Sequence, residues 1–478
     1  MRPMVTVQCW TGAQTRALRQ AMRLTIRAFA ERLGVDTRTI TKWEARGHTI
    51  TLLPDTQALM DTALSRAPDD VKIRVTQAVD SAGQKPAAAS PSKSLKTSHT
   101  IAQWSHHSIT LVAQQITGED LSTTRRDTLA AGPSAALAGA ALTEPLQHWL
   151  LPINQDVEVA TSESGFSPTE LASLEELVGQ FRDWAKNGHG MLVRKAVVAQ
   201  LNDVTDRLRE VSPGPATWPV FRVAAELAEV VASILWAHSL HRSAQRYYVL
   251  SVQLAKLAND DGHAAIVLAD LARQCYGLGH PQEGLEIVAL AQYGSRKTAT
   301  ARLRSMLATR EAGGYALLGE SQAVHRAVGR AEEYFADGPS DDDHRRLQPL
   351  LQHLDAAGFA ALLGEHYREL ARHEPRWAGK AHDYLQEALR HPSDEPRLHA
   401  DDLIELAHTQ LINAEPEHAC ELVHQAISIA QPWANGRVGV KLGEFHQEAE
   451  RYADIPVVGD TRDRIRELTA ANRWWMQG

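Results

Sequence analysis

Thr37, Arg38, Thr41 and Lys42 stand within six consecutive residues of the segment Gly34-Val35-Asp36-Thr37-Arg38-Thr39-Ile40-Thr41-Lys42-Trp43-Glu44. Helix positions three and four apart share a face. With Ile40 and Trp43 turned inward, these four present two hydroxyls and two cations on one short outer surface. That is chemistry for hydrogen bonding to an acceptor-rich, anionic partner such as the edges of base pairs.

Other constellations point to weaker chemistry. His238 and His241 have the i, i+3 spacing that could offer two nitrogens to a metal, but no third ligand accompanies them. Asp401, Glu405 and His408 can share a helix face, and the pattern reads as a solvated polar stripe. The acids Asp337 and Asp341 to Asp343 lack the glycine and bidentate glutamate of a calcium loop. Phosphate-loop, nucleophile-elbow and HExxH motifs do not occur. The expectation is a protein that is not an enzyme, with no catalytic residues, no metal site and no cofactor.

The elements that must position the first group follow from apolar spacing. Thr11 can cap a helix that places Leu18, Ala21 and Met22 on one face. Thr25 caps a second, with Phe29, Ala30 and Leu33 facing the same core; Gly34 permits a left-handed turn, and Asp36 caps a third. The outward residues near the N-terminal end of that third helix occupy the part of a recognition helix that meets base edges.

The stretch "FAERLGVDTRTITKWE" resembles the XRE-type, lambda-repressor-like helix-turn-helix family over residues 12 to 66. The resemblance implies a five-helix-type DNA-binding domain. By position it implies base contacts from Thr37, Arg38 and Lys42, with Thr25 and Arg27 near phosphate where the second helix starts. Arg38 or Lys42 would bond a guanine edge, and a good bidentate pair is worth about 1–3 kcal/mol of discrimination. Arg46 belongs with the DNA-facing set, although the turn after the third helix differs in length from the simplest repressors. Arg19 and Glu44 match a family pair that links the first and third helices. Ile26 departs from the pattern, standing where many members carry a polar phosphate-binding residue.

Charge is divided unevenly along the chain. Trp10 to Ile50 carries eight Arg or Lys against three acids, a balance of +5, whereas the whole chain of 478 residues carries -8. The remainder is therefore at -13, which confines phosphate binding to the N-terminal end. A hydrophobic content of 44% with 23% charged residues is that of an ordinary globular protein. Cys9, Cys275 and Cys420 are far apart, which fits a reducing, cytoplasmic setting, nucleoid-associated when DNA is bound. No apolar run reaches the roughly 18–20 residues that span a bilayer, and the first 30 residues lack the apolar core of a signal peptide. Residues 122–129 followed by an Ala/Leu-rich stretch imitate a twin-arginine signal, but their internal position makes them a helical connector.

Composition and periodicity give a helix-turn-helix domain at 10–78, a Pro/Ala/Ser/Lys-rich flexible linker at 81–100, a helical connector at 101–165 and a helical body at 166–478. Within the body, "HRSAQRYYVLSVQLA" (241–255), "PQEGLEIVALAQYGS" (281–295) and "SQAVHRAVGRAEEYF" (321–335) bring Ala244, Gly284 and Val324 into register at an offset of 40. Residues 377–385 and "PEHACELVHQAISIA" (416–430, Ala419 in register) continue the series. Leu278-Gly279-His280 and Leu318-Gly319-Glu320 mark turns before the repeated helix.

Small residues at helix crossings and Leu-Gly turns resemble tetratricopeptide repeats. The fold class expected is thus all-α, with an α-solenoid of such hairpins behind the head. The resemblance implies a concave groove that takes a signalling peptide, a small molecule or a protein partner, and Asn202, Asn259 and Asn413 are candidates to hold a peptide backbone. The expected function is a transcriptional regulator that binds a double-stranded DNA operator as a homodimer, without membrane association. The competing class is a repeat scaffold or antitoxin-like protein-binding module in which DNA binding is secondary. Trp474-Trp475 suggests docking onto the last hairpin or a second subunit.

Overall fold

A computed structural model describes residues 10, 12–22, 24–33, 35–46, 56–57, 60, 63–64, 104–122, 136–152, 166–338, 351, 354–390, 396–430 and 437–473. The secondary structure of the described residues is helical throughout, without a strand. The chain divides into two compact units, residues 1–98 and 99–478. Thr11, Gly34, the proposed linker, residues 123–129, Asp341 to Asp343 and Trp474-Trp475 lie outside the described residues.

In the first unit, α1 (Gly12–Ala21), α2 (Ile26–Leu33) and α3 (Thr37–Arg46) close around Leu18, Phe29, Ala30 and Ile40, joined by Trp10, Met60 and Leu64. The Thr25 hydroxyl accepts from the Ala28 amide at 3.2 Å, capping α2. The Asp36 carbonyl accepts from Thr39 and Ile40 at 2.9 and 3.4 Å and so opens α3.

The second unit begins with α4 (His106–Ser122), α5 (Ala140–Gln147), α6 (Pro168–Trp184) and α7 (Gly190–Leu208). Behind them come α8 (Trp218–Ala237), α9 (His241–Leu257), α10 (Asp261–Gly277), α11 (Pro281–Ser295), α12 (Ala301–Leu317) and α13 (Ser321–Ala336). The series ends with α14 (Ala356–His373), α15 (Ala378–Arg390), α16 (Pro396–Ile412), α17 (Pro416–Ala430), α18 (Arg437–Glu448) and α19 (Pro456–Arg473). Antiparallel hairpins form from α8 with α9, α10 with α11, α12 with α13, α14 with α15 and α16 with α17. Successive hairpins meet through their first helices, α10 on α12, α12 on α14, α14 on α16 and α16 on α18. Such a layer is buried nearly all round: in α16, Asp401 and every residue from Leu403 to Leu411 is buried. A stack of this kind holds itself together through neighbour contacts alone.

Helices begin at His241, Asp261, Pro281, Ala301 and Ser321, one every twenty residues. The repeated segments found in the sequence are the second helices of their hairpins. Ala244, Gly284, Val324 and Ala419 are all buried in them. A Cβ on Gly284 would lie 2.2 Å from the Tyr276 ring and 3.0 Å from the Ala272 carbonyl, so only glycine permits α10 and α11 to cross this closely. The connector helix α4 is part of the same body, with Ile109 and Ala113 in its core and His106 Nε2 2.8 Å from the Leu208 carbonyl.

Five turns share one device. Ser239, Asn259, Gly279, Gly319 and Ala414 take φ of 60°, 53°, 79°, 71° and 61°. The following amide in each case reaches back five residues, as in Leu240 to Leu235 at 2.9 Å and Glu415 to Gln410 at 2.9 Å. This is the Schellman closure. A left-handed non-glycine residue costs about 1–2 kcal/mol, and glycine's extra freedom in the unfolded chain offsets about half of that. Ala414→Gly is therefore expected to stabilise the protein by about 0.5–1 kcal/mol, read as a higher urea midpoint at unchanged slope.

Candidate nucleic-acid interface

The exposed surface of α3 is built by what lies beneath it. Ile40 is fully buried and Trp43 half-buried against the head's core, which turns Thr37, Thr41 and Lys42 to solvent. Thr37 and Thr41 stack one turn apart, with the Thr41 hydroxyl donating to the Thr37 carbonyl at 3.0 Å; its lone pairs remain outward. Arg38 and Arg46 belong to the same helix, and their side chains lie outside the described residues.

Two features favour an anion here. The first turn of α2 and the Thr25 cap before it carry no acidic residue, so the partial positive charge of that N-terminus is uncompensated; α3 has none in its first turn but begins directly after Asp36. Thr25 and Arg27 are exposed at the start of α2. Arg27 Nε lies 3.2 Å from Glu31 Oε1 with both side chains largely in water, a pair worth little that a phosphate could displace.

The scaffold is pinned by Arg19 on α1. Its Nε and Nη2 bond the two Glu44 carboxylate oxygens of α3 at 2.6 and 2.8 Å, and its Nη1 donates to the Leu24 carbonyl at 2.9 Å. The hydrogen bonds it donates to Glu44 raise the Arg19 guanidinium above its ordinary value. Arg19 thus serves α3 from below, while Arg16 adds a bond from Nη2 to the Glu44 carbonyl at 2.9 Å.

The three asparagines of the second unit are on separate elements. Asn202 on α7 accepts from Thr117 at 2.7 Å and donates to Asp206 at 3.1 Å, tying α4 to α7. Asn259 is the left-handed residue between α9 and α10, a conformation asparagine tolerates better than most. Asn413, exposed after α16, donates to Gln410 at 3.2 Å.

One expectation is overturned. Asp401, Glu405 and His408 are buried, at 7%, 2% and 1% exposure, and form no solvated stripe. Glu405 receives Arg368 Nε of α14 at 2.8 Å and Lys441 Nζ of α18 at 2.9 Å. Burial alone would raise the Glu405 carboxyl, but Arg368 and Lys441 overcome it and hold it far below the usual carboxylate range. His408 Nδ1 lies 2.6 Å from Glu448, which Arg372 also meets at 2.9 Å. The residue types did not reveal this network, because the partners come from helices about 35 to 40 positions away.

Among the described residues no group of three or more His, Cys, Asp or Glu is placed to hold a metal ion, and no helix is long and apolar enough to cross a membrane. No protein-family model matches the chain, nor does any curated protein or any solved structure.

Proposed function

We propose that the chain is a sequence-specific DNA-binding transcriptional regulator of the XRE type, with α3 as its reading helix and the hairpin stack, which resembles tetratricopeptide repeats, as its input domain. The observation that carries this reading is the exposed N-terminal face of α3: Thr37, Thr41 and Lys42 open to solvent, no carboxylate in the first turn, and Arg19–Glu44 fixing the helix from beneath. The +5 balance of residues 10–50 against -13 for the rest supports it. A single small head offers few base contacts, so a homodimer reading two half-sites about 34–36 Å apart supplies a usable affinity. The site of action is the cytoplasm, on the nucleoid when DNA is bound. The hairpin stack then takes the signal, a peptide, a small molecule or a protein.

Selection from random duplex DNA with the full-length protein tests this, and enrichment of a paired half-site motif is expected. On the selected operator, Arg38→Ala should flatten the preference among sequences, by about 1–3 kcal/mol at one position. Arg27→Ala should weaken all DNA alike and reduce the salt slope by about one. No enriched motif, or equal effects of both changes on operator and random DNA, defeats the reading.

A further inference from the structure

Three arginines of the described residues are buried: Arg194, Arg310 and Arg368. Arg194 bonds Asp120, and Arg368 bonds Glu405 and Glu369. Arg310, in the middle of α12 and 4% exposed, has no such partner. Among the described residues its guanidinium forms no ion pair and donates no hydrogen bond. Its Nε is sealed from water, whereas Nη1 and Nη2 are not. The adjacent acid, Glu311, is taken by Arg330 at 2.6 Å and by Gln292 at 2.8 Å. A guanidinium cannot escape the cost of burial by losing its proton, so a buried one without a counter-charge holds a strongly unfavourable position until an anion arrives.

The neighbours of Arg310 do not supply that anion. Gly313 and Gly314 follow it at i+3 and i+4, on the same face of α12. A Cβ on Gly313 would lie 2.8 Å from the His366 ring of α14, and one on Gly314 would lie 2.7 Å from the Tyr276 hydroxyl oxygen of α10. The two glycines thus let α10 and α14 close on this face. Tyr276 donates its hydroxyl hydrogen to the Arg310 carbonyl at 3.0 Å. His366 is 8% exposed, and its Nε2 has no hydrogen-bond partner. Burial pushes the His366 imidazole down to about 4; Glu365 and Glu405 oppose this, and Arg310 adds to it. The imidazole is therefore uncharged at neutral pH. Glu365 and Glu405 act on it from a distance but pair with Arg310 in neither case.

We propose that Arg310 anchors a ligand site in the hairpin stack and takes one carboxylate from outside the chain through its two open Nη nitrogens. The planar fork of a guanidinium matches the two oxygens of a carboxylate. One negative charge balances the one positive charge present, whereas a phosphate dianion would leave a surplus inside. A free organic acid and the C-terminus of a peptide share this chemistry. The proposal rests on taking the hairpin stack as the input domain, and names the class of its ligand.

Thermal unfolding of the full-length protein at pH 7 is the test, run without DNA so that its failure and a failure of DNA binding are read separately. Sodium acetate in place of sodium chloride at equal ionic strength should raise the melting temperature of the hairpin stack by at least about 2 °C. Arg310→Met should melt above the wild type in chloride, because it removes a buried charge that has no partner, and should not respond to acetate. Arg310→Lys keeps the charge but not the fork, so it should fold as the wild type does and lose most of the acetate response. Succinate and N-acetylated Gly-Ala, each at the acetate concentration, separate the two sources. A larger shift from succinate assigns a free organic acid; a larger shift from the peptide, absent from its C-terminal amide, assigns a chain terminus. Equal melting in acetate and chloride overturns the proposal, as does an acetate response retained by Arg310→Met. Melting of Arg310→Met below the wild type in chloride also overturns it, since the guanidinium would then be a fixed part of the packing.

Discussion

Glu405→Ala is expected to destabilise the hairpin stack by about 3–5 kcal/mol, the cost of leaving a buried charge without its partner. Arg368 and Lys441 converge on that one carboxylate at 2.8 and 2.9 Å, and when it is gone Arg368 is left with Glu369 and the attraction of Glu365. Urea unfolding followed by circular dichroism measures the change. A loss below about 1 kcal/mol would mean that water reaches the pair and screens it as on a surface. Replacing Arg368 and Glu405 together by Met and Leu should recover most of the stability, since a well-packed apolar pair often does as well as a buried ion pair.

The second large effect belongs to the head. Glu44 is 5% exposed and takes both ends of the Arg19 fork. Glu44→Ala removes the tie between α1 and α3 and leaves Arg19 half-buried without a carboxylate, a loss of about 2–4 kcal/mol. In a unit whose core is as small as this one, such a loss is comparable to the whole stability. The expected outcome is a full-length protein whose residues 12–46 are cut rapidly by trypsin while residues 166–473 resist. Affinity should fall more than about tenfold for operator and random DNA alike. Wild-type resistance of the head to trypsin would show that the apolar centre alone holds α3 in place.

The sequence revealed some elements and concealed others for reasons that lie in packing. The second helices of the hairpins are amphipathic, so Ala244, Gly284, Val324 and Ala419 recur against polar neighbours and the period can be seen. The first helices are buried on nearly every side, and α12 and α16 have no polar face to set against an apolar one. Their polar residues face partners on distant helices, which is why Asp401, Glu405 and His408 read as a surface stripe. Asn259 drew attention as a carboxamide, yet its backbone sits in the left-handed turn. In the head, the inward Leu18, Phe29, Ala30 and Ile40 were legible from spacing alone, as was the Arg19–Glu44 pair from the family resemblance. What Thr37, Thr41 and Lys42 touch was not, since an outward side chain is defined by a partner absent from the chain.

The twenty-residue metre of helix starts from His241 to Ser321 has a consequence for how such a chain can change length. Two helices and their turns make one interchangeable cell of forty residues, and each cell ends where the next can begin. A gene-copying slip that gains or loses one whole cell restores the same junction, from a second helix into a first. A slip that is not a whole number of cells would break the alternation of first and second helices. The stack can therefore grow or shorten in steps while residues 1–98 keep their sequence, and the number of hairpins is free to vary independently of the surface that α3 presents.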